Sequence, residues 1–222
     1  MLRGLAAAQK GEAVILLHRA TTSAADRGLI GDKPTAAVDA TGLESRHTSA
    51  YFVRRAGRDH TSRVWTKLTV ACDTATHFLA GARVTTGPSN DSPQFPPVMA
   101  QASLVVTWDR VFADAAFDSE DHHAYAREDL GIRSSVIPIN PRGHTGEPGG
   151  TYRRQMARRF APKPEGSRSR RVFGQRWQVE SAFSRHKRRL GSALGGRSDA
   201  SRERECQLRV LTHNLMLLAA HG

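Results

Sequence analysis

The chain of 222 residues is poor in cysteine, in aromatic residues and in long apolar runs. Its two cysteines, Cys72 and Cys206, have neither metal-ligand spacing nor the density of a disulfide scaffold. Zinc-finger and small secreted folds are thereby excluded, and a reducing, cytoplasmic setting is expected. The longest apolar stretches, Ala13–Leu17 and Leu215–Ala220, fall far short of the ~20 residues that a membrane span needs. Met1–Lys10 carries Arg3 but no sustained apolar segment of the secretory kind. No Gly-x-x-x-x-Gly-Lys-Ser/Thr phosphate loop, Gly-x-Ser-x-Gly elbow or His-Glu-x-x-His helix occurs, which argues against ATPase, serine-hydrolase and zinc-protease chemistry. The pair His122-His123 reads as a solvated helix face.

Acidic residues are scarce in one place only. Residues 1–141 hold 15 basic and 15 acidic side chains, whereas residues 142–222 hold 18 and 6, so the whole net charge of +12 lies in the second segment. Of the 33 basic residues 28 are arginine, whose planar fork binds phosphate bidentately. A charge asymmetry on this scale marks a side that faces a polyanion.

Periodicity places the elements coarsely. Leu2–His18 reads as a helix and Thr21–Pro34 as a turn-rich link. Ala36–Val38 reads as a short buried strand that ends in the polar turn Asp39-Ala40-Thr41-Gly42. Val64–Asp73 and His77–Thr86 form a hairpin about a turn at Asp73–Thr76. A helix is expected over Val98–Val106, a strand over Arg110–Phe117, a helix from Asp118 to Leu130 with Ser119 as cap, and a strand over Ser135–Ile139. Asn140–Ser169 reads as an exposed connector, and Phe173–Leu190 and Glu203–Ala220 as helices. The expected class is α/β, a mixed sheet flanked by helices, with further helices at the C-terminal end.

Three carboxylates stand out against this background. Asp39 lies at the end of an apolar strand, and Asp114 lies within one, where an unpaired carboxylate costs several kcal/mol. Glu180 is the only acid between Gly166 and Ser198. Such a set suits hard divalent cations, Mg²⁺ or Mn²⁺, rather than zinc. Asp118 competes with Asp114 for the same role, though its place beside Ser119 suits a helix start. On a helical wheel Arg176 and Lys187 share a stripe with Glu180, and Val172, Val179, Phe183 and Leu190 form the core-facing flank. Arg185, Arg188 and Arg189 fall on the solvent side. The simpler alternatives are a turn residue, a buried ion-pair partner and an acid neutralising its arginine neighbours.

Together these residues resemble the signature of bacterial insertion-sequence transposases of the DDE type. The last acid of that family sits in Tyr-(2)-Arg-(3)-Glu-(6)-Lys; Arg176, Glu180 and Lys187 match the spacing, with Phe173 at the tyrosine position. Asp39-Ala40-Thr41-Gly42 matches the first-acid pattern Asp-x-Thr-Gly. Ala113-Asp114-Ala115-Ala116-Phe117-Asp118-Ser119 is similar to the second, Ala-Asp-x-x-Tyr-Asp-Ser. The three motifs stand in the right order, with successive acids 75 and 66 positions apart.

The resemblance, over about residues 35–217, implies a ribonuclease-H-like catalytic domain and two Mg²⁺ ions (or Mn²⁺) held by Asp39, Asp114 and Glu180. It implies strand cleavage and strand transfer at insertion-sequence ends, with Arg176, Lys187, Arg185, Arg188 and Arg189 on the DNA. Partners are then double-stranded DNA and a second copy of the chain, in a nucleoid-associated cytoplasmic setting with no membrane. Two departures stand beside it: Phe173 lacks the family's phenol hydroxyl, and residues 1–34 read as a short helical lead-in, the remnant of a lost DNA-recognition region. The rival readings are a basic nucleic-acid-binding protein without catalysis and a metal-dependent nuclease of the same fold. The first leaves Asp114 and the Glu180 stripe unexplained.

Overall fold

Thr35–Ser45 (β1) is the longest strand and the axis of the fold. A computed structural model of the chain describes residues 2–45, 65–141, 146–161 and 174–221. Val64, Val172, Phe173 and most of the stretch 161–173 lie outside the described residues.

β1 pairs antiparallel with Thr66–Asp73 (β2), and β2 pairs antiparallel with Leu79–Thr86 (β3). On its other side β1 runs parallel to Arg110–Ala113 (β4), which runs parallel to Ser134–Val136 (β5). The order is β3-β2-β1-β4-β5, and the two-residue strand Ala193–Leu194 (β6) joins the far end of β1. A meander feeding two parallel strands, with helices on the faces, is a ribonuclease-H-like α/β fold, as the sequence reading expected.

The helices cover both faces. Leu2–Asp26 (α1) runs on past the expected end at His18, because Thr21 donates its Oγ1 hydroxyl back to the Leu17 carbonyl at 2.9 Å and so does not break the helix. Gly28, at φ +69°, turns the chain out of it. Leu17, Ala20 and Ala24 of α1 are buried. Phe95–Ser103 (α2) packs on β3 at Gly81, where a Cβ would come within 2.3 Å of the Val98 carbonyl oxygen. Glu120–Ala124 (α3) continues as one wide turn, Tyr125–Asp129.

Thr151–Phe160 (α4) is a helix inside the expected connector; its first turn is fixed by Glu120, whose carboxylate accepts the backbone N–H groups of Thr151, Tyr152 and Arg153. Trp177–Leu190 (α5) and Asp199–Ala220 (α6) complete the fold, the latter capped by Ser198 and beginning four residues earlier than expected.

Strand alternation then divides the core. Ala36, Val38, Val111 and Ala113 face α2 and the end of α6, while Ala37, Leu43, Leu68 and Val70 face Val179, Ala182 and Phe183 of α5. Phe112 and Val136 face Met156 of α4. Asp39 has the parity of Ala37, and Asp114 that of Phe112. Both acids therefore point to the side of the sheet that α4 and α5 cover.

Two expectations about the strands need correction. β1 does not turn at Asp39–Gly42 but continues to Ser45, held by β2 as far as Leu43 and by β6 beyond. β4 ends at Ala113 rather than Phe117, because the Asp114 carboxylate accepts the Ala116 N–H at 2.8 Å and starts a short 3₁₀ turn. The histidine pair is also not solvated. His122 and His123 are both buried, with His122 Nδ1 against the Phe117 carbonyl and His123 Nδ1 against the Ser135 hydroxyl.

Candidate active site

The last parallel rung between β1 and β4 pairs Val38 with Ala113. Asp39 and Asp114 each follow that rung by one residue, so the pairing sets them side by side where the two strands part. Asp39 is the fifth residue of an eleven-residue strand. Its Oδ1 accepts the Ala40 N–H at 2.8 Å, and its Oδ2 lies 3.8 Å from Arg176 Nη1.

Arg176 also reaches Glu180, Nη2 donating to Oε1 at 2.9 Å. Its position at the start of α5 and the i, i+4 spacing bring both groups to one helix face. Arg176 thus spans two of the three acids that the sequence singled out, and Asp114 lies close enough to Asp39 to act on it electrostatically.

Burial pushes the Asp39 carboxyl up to about 6. The Ala40 N–H and the Arg176 guanidinium hold it down, and the charges of Asp114 and Glu180 hold it up. An aspartate that resists ionisation amid two other carboxylates is a group that a cation would stabilise. Among the described residues, however, no three of His, Cys, Asp and Glu are gathered closely enough to hold one metal ion. Glu180 is largely exposed and turned toward Arg176.

The donor chemistry nonetheless fits a hard divalent cation: three carboxylates, no thiol or imidazole between them, and one oxygen each on Asp39 and Asp114 left over from its backbone bond.

Asp118 is occupied elsewhere. Its carboxylate is fully buried and takes Arg153 Nε at 2.9 Å on one oxygen, and Arg153 Nη2 at 2.8 Å with the Asn140 N–H at 2.9 Å on the other. It ties α4 and the chain after β5 to the segment that carries Asp114.

The family model for the transposase DDE domain matches residues 30–215, most of the chain. The chain belongs to the transposase DDE domain family. A search of curated proteins finds no match to it. The family acts in DNA transposition and is in general one of polynucleotidyl transferases that use divalent metal ions.

The basic positions of this DDE-family chain spread along α5. Lys187 is half-buried two turns beyond Glu180, and Arg188 and Arg189 are exposed on the last turn. Arg185 is only half-exposed, not fully on the solvent side of the wheel, and its charge bears on Cys72 and His213. The tyrosine-position residue, Phe173, lies outside the described residues.

Sequence reasoning missed several groups around the site. Trp177, beside Arg176, is 55% exposed, and its place on the wheel next to Glu180 was a usable signal. Gln178 of α5 bonds to His77 in the β2–β3 turn, a pairing 101 residues apart that no local pattern announces.

Proposed function

We propose that this chain is a DNA transposase that cuts and joins strands at the ends of an insertion sequence, with Asp39, Asp114 and Glu180 as its catalytic carboxylates. The observation that supports it most is the side-by-side placement of Asp39 and Asp114 beyond the β1–β4 rung, with Glu180 linked to Asp39 through Arg176. These three residues would hold Mg²⁺, or Mn²⁺ in its place. Bound there, divalent ions would supply activation of the attacking oxygen and stabilisation of the leaving oxygen at phosphorus.

The chain's own residues contribute the rest. Asp39 resists ionisation in its buried setting, and a cation bound beside it would favour its carboxylate form. Arg176 compensates the acids and, with Lys187, Arg188 and Arg189, presents positive charge to a DNA backbone running along α5. Two copies on double-stranded DNA are the proposed working unit. A nuclease of the same fold would use the same acids but would not join strands.

Nicking of a supercoiled plasmid in Mg²⁺ or Mn²⁺ tests the reading. The wild type is expected to nick, and Asp39→Asn, Asp114→Asn and Glu180→Gln are each expected to lose nicking while still binding DNA. Equal activity in any of the three variants would remove that residue from the site.

A further inference from the structure

The β2–β3 turn holds the one non-glycine residue with positive φ among the described residues, His77 at φ +68°. A left-handed backbone is unfavourable for a side chain with a Cβ, and such outliers persist where the surroundings fix them. Here the surroundings fix it from three directions. Its N–H donates to the Asp73 carbonyl at 2.9 Å, and Thr76 closes the same turn with its N–H 2.9 Å from Asp73 Oδ2. Its carbonyl receives His213 Nε2 of α6 at 3.0 Å. Its imidazole Nε2 donates to Gln178 Oε1 of α5 at 2.8 Å. Asn214, next to His213, locks α6 to the start of β3 by bonding both the N–H and the carbonyl of Leu79.

Gln178 lies between Arg176 and Glu180 in the first turn of α5. That end of the helix has no side-chain cap. Beside the longer Arg176–Asp39 ion pair at 3.8 Å, the His77 bond is the hydrogen bond that the described residues show between this turn and the sheet side of the fold. We propose that His77 is a positioning residue: it clamps the first turn of α5 to the sheet and thereby sets Arg176 and Glu180 against Asp39. The clamp is a geometric statement about α5; its consequence for catalysis rests on the function proposed above. A glycine at position 77 would adopt the turn without strain, so the imidazole is what the left-handed position retains at a cost.

His77→Gly separates the clamp from the turn. It relieves the backbone, so the melting temperature is expected to stay level or rise, whereas loss of the clamp frees the start of α5. Two readouts follow. Hydrogen exchange of the backbone amides at Gln178, Val179, Glu180 and Ser181 should quicken at least tenfold, with β2, β3 and α6 unchanged.

DNA nicking at saturating DNA should fall by about tenfold to a hundredfold, as small misplacements of catalytic groups do, with half-saturation unchanged. Gln178→Ala should reproduce both effects, and the double variant should be no worse than either single one, since both remove the same bond.

The proposal is overturned if α5 exchanges at the wild-type rate in His77→Gly, if the two variants add, or if, beside an active wild type, the variants lose only DNA affinity. Should the wild type itself fail to nick, the proposed function falls, and the exchange data alone decide whether the clamp exists.

Discussion

Arg176 stands 3.8 Å from the Asp39 carboxylate while it holds Glu180 at 2.9 Å, so a single guanidinium compensates two acids from different ends of the chain. One lies mid-strand in β1 and the other on α5. The arrangement sets a buried carboxylate near two others, with the Arg176 guanidinium shared between Asp39 and Glu180, which places a definite demand on stability.

Asp39 carries that demand. Its folded pKa of about 6 lies above the ordinary 3.8, so the folded state binds the proton more tightly than the unfolded chain. The stability this gives is present below about pH 4 and is lost as pH rises through 6. Asp39→Asn should therefore raise the melting temperature at pH 8, by roughly 2–8 °C for about 1–2 kcal/mol, while abolishing metal-dependent nicking. Mg²⁺ should stabilise the wild type more at pH 8 than at pH 5. A variant less stable than the wild type at pH 8 contradicts this balance.

Asp114 and Asp118 should separate cleanly. Removing one partner of a buried pair leaves an unpaired charge, so Asp118→Ala should cost about 3 kcal/mol or more, roughly 6–12 °C in melting temperature. Asp114 takes a single backbone bond, and Asp114→Asn should shift melting only slightly while removing nicking. Thermal melts of the two variants check the contrast.

Acid should unfold the protein well above pH 4. His123, His186 and His213 are buried and held down to about 4, chiefly by burial, against an ordinary 6.5. Their contribution is complete above pH 6.5 and is lost as pH falls toward 4, because the unfolded chain takes up protons that the folded one refuses. Asp39 opposes this with one proton of the other sign, leaving a net slope of about 3 kcal/mol per pH unit near pH 5. His186 has no partner on either ring nitrogen among the described residues. His186→Phe should leave stability at pH 8 within about 1 kcal/mol and flatten the acid slope by one proton, as denaturant melts from pH 4.5 to 8 would show.

Lys187→Ala should weaken DNA binding without changing melting. The slope of log affinity against log salt should become shallower by about one phosphate contact. An unchanged slope would take Lys187 off the DNA.

Much of this was legible in the sequence where local pattern and local structure agree. The β2–β3 hairpin, the Glu180 helix and the α/β class follow from periodicity and turn residues. The three acids stand out in the sequence because their neighbours are apolar, small or basic, settings in which a carboxylate needs a reason. What failed depended on distant partners. β1 runs through Asp39 because β2 supplies its rungs, and a strand rich in Ala, Thr and Gly gives no sign of that from within.

α4 was hidden in a Pro/Gly/Arg-rich stretch because its start is capped by Glu120, some thirty residues earlier. His122 and His123 were misplaced because their hydrogen bonds come from Phe117 and Ser135, which the helical wheel does not contain.

The most direct test is strand cleavage of a plasmid carrying this gene's own flanking DNA in Mg²⁺ or Mn²⁺, with the wild type and Glu180→Gln side by side. The account predicts cuts at defined flanking positions, followed by joining to target DNA, all lost in Glu180→Gln while DNA binding persists. DNA binding with no cutting, identical in the two proteins, would contradict it.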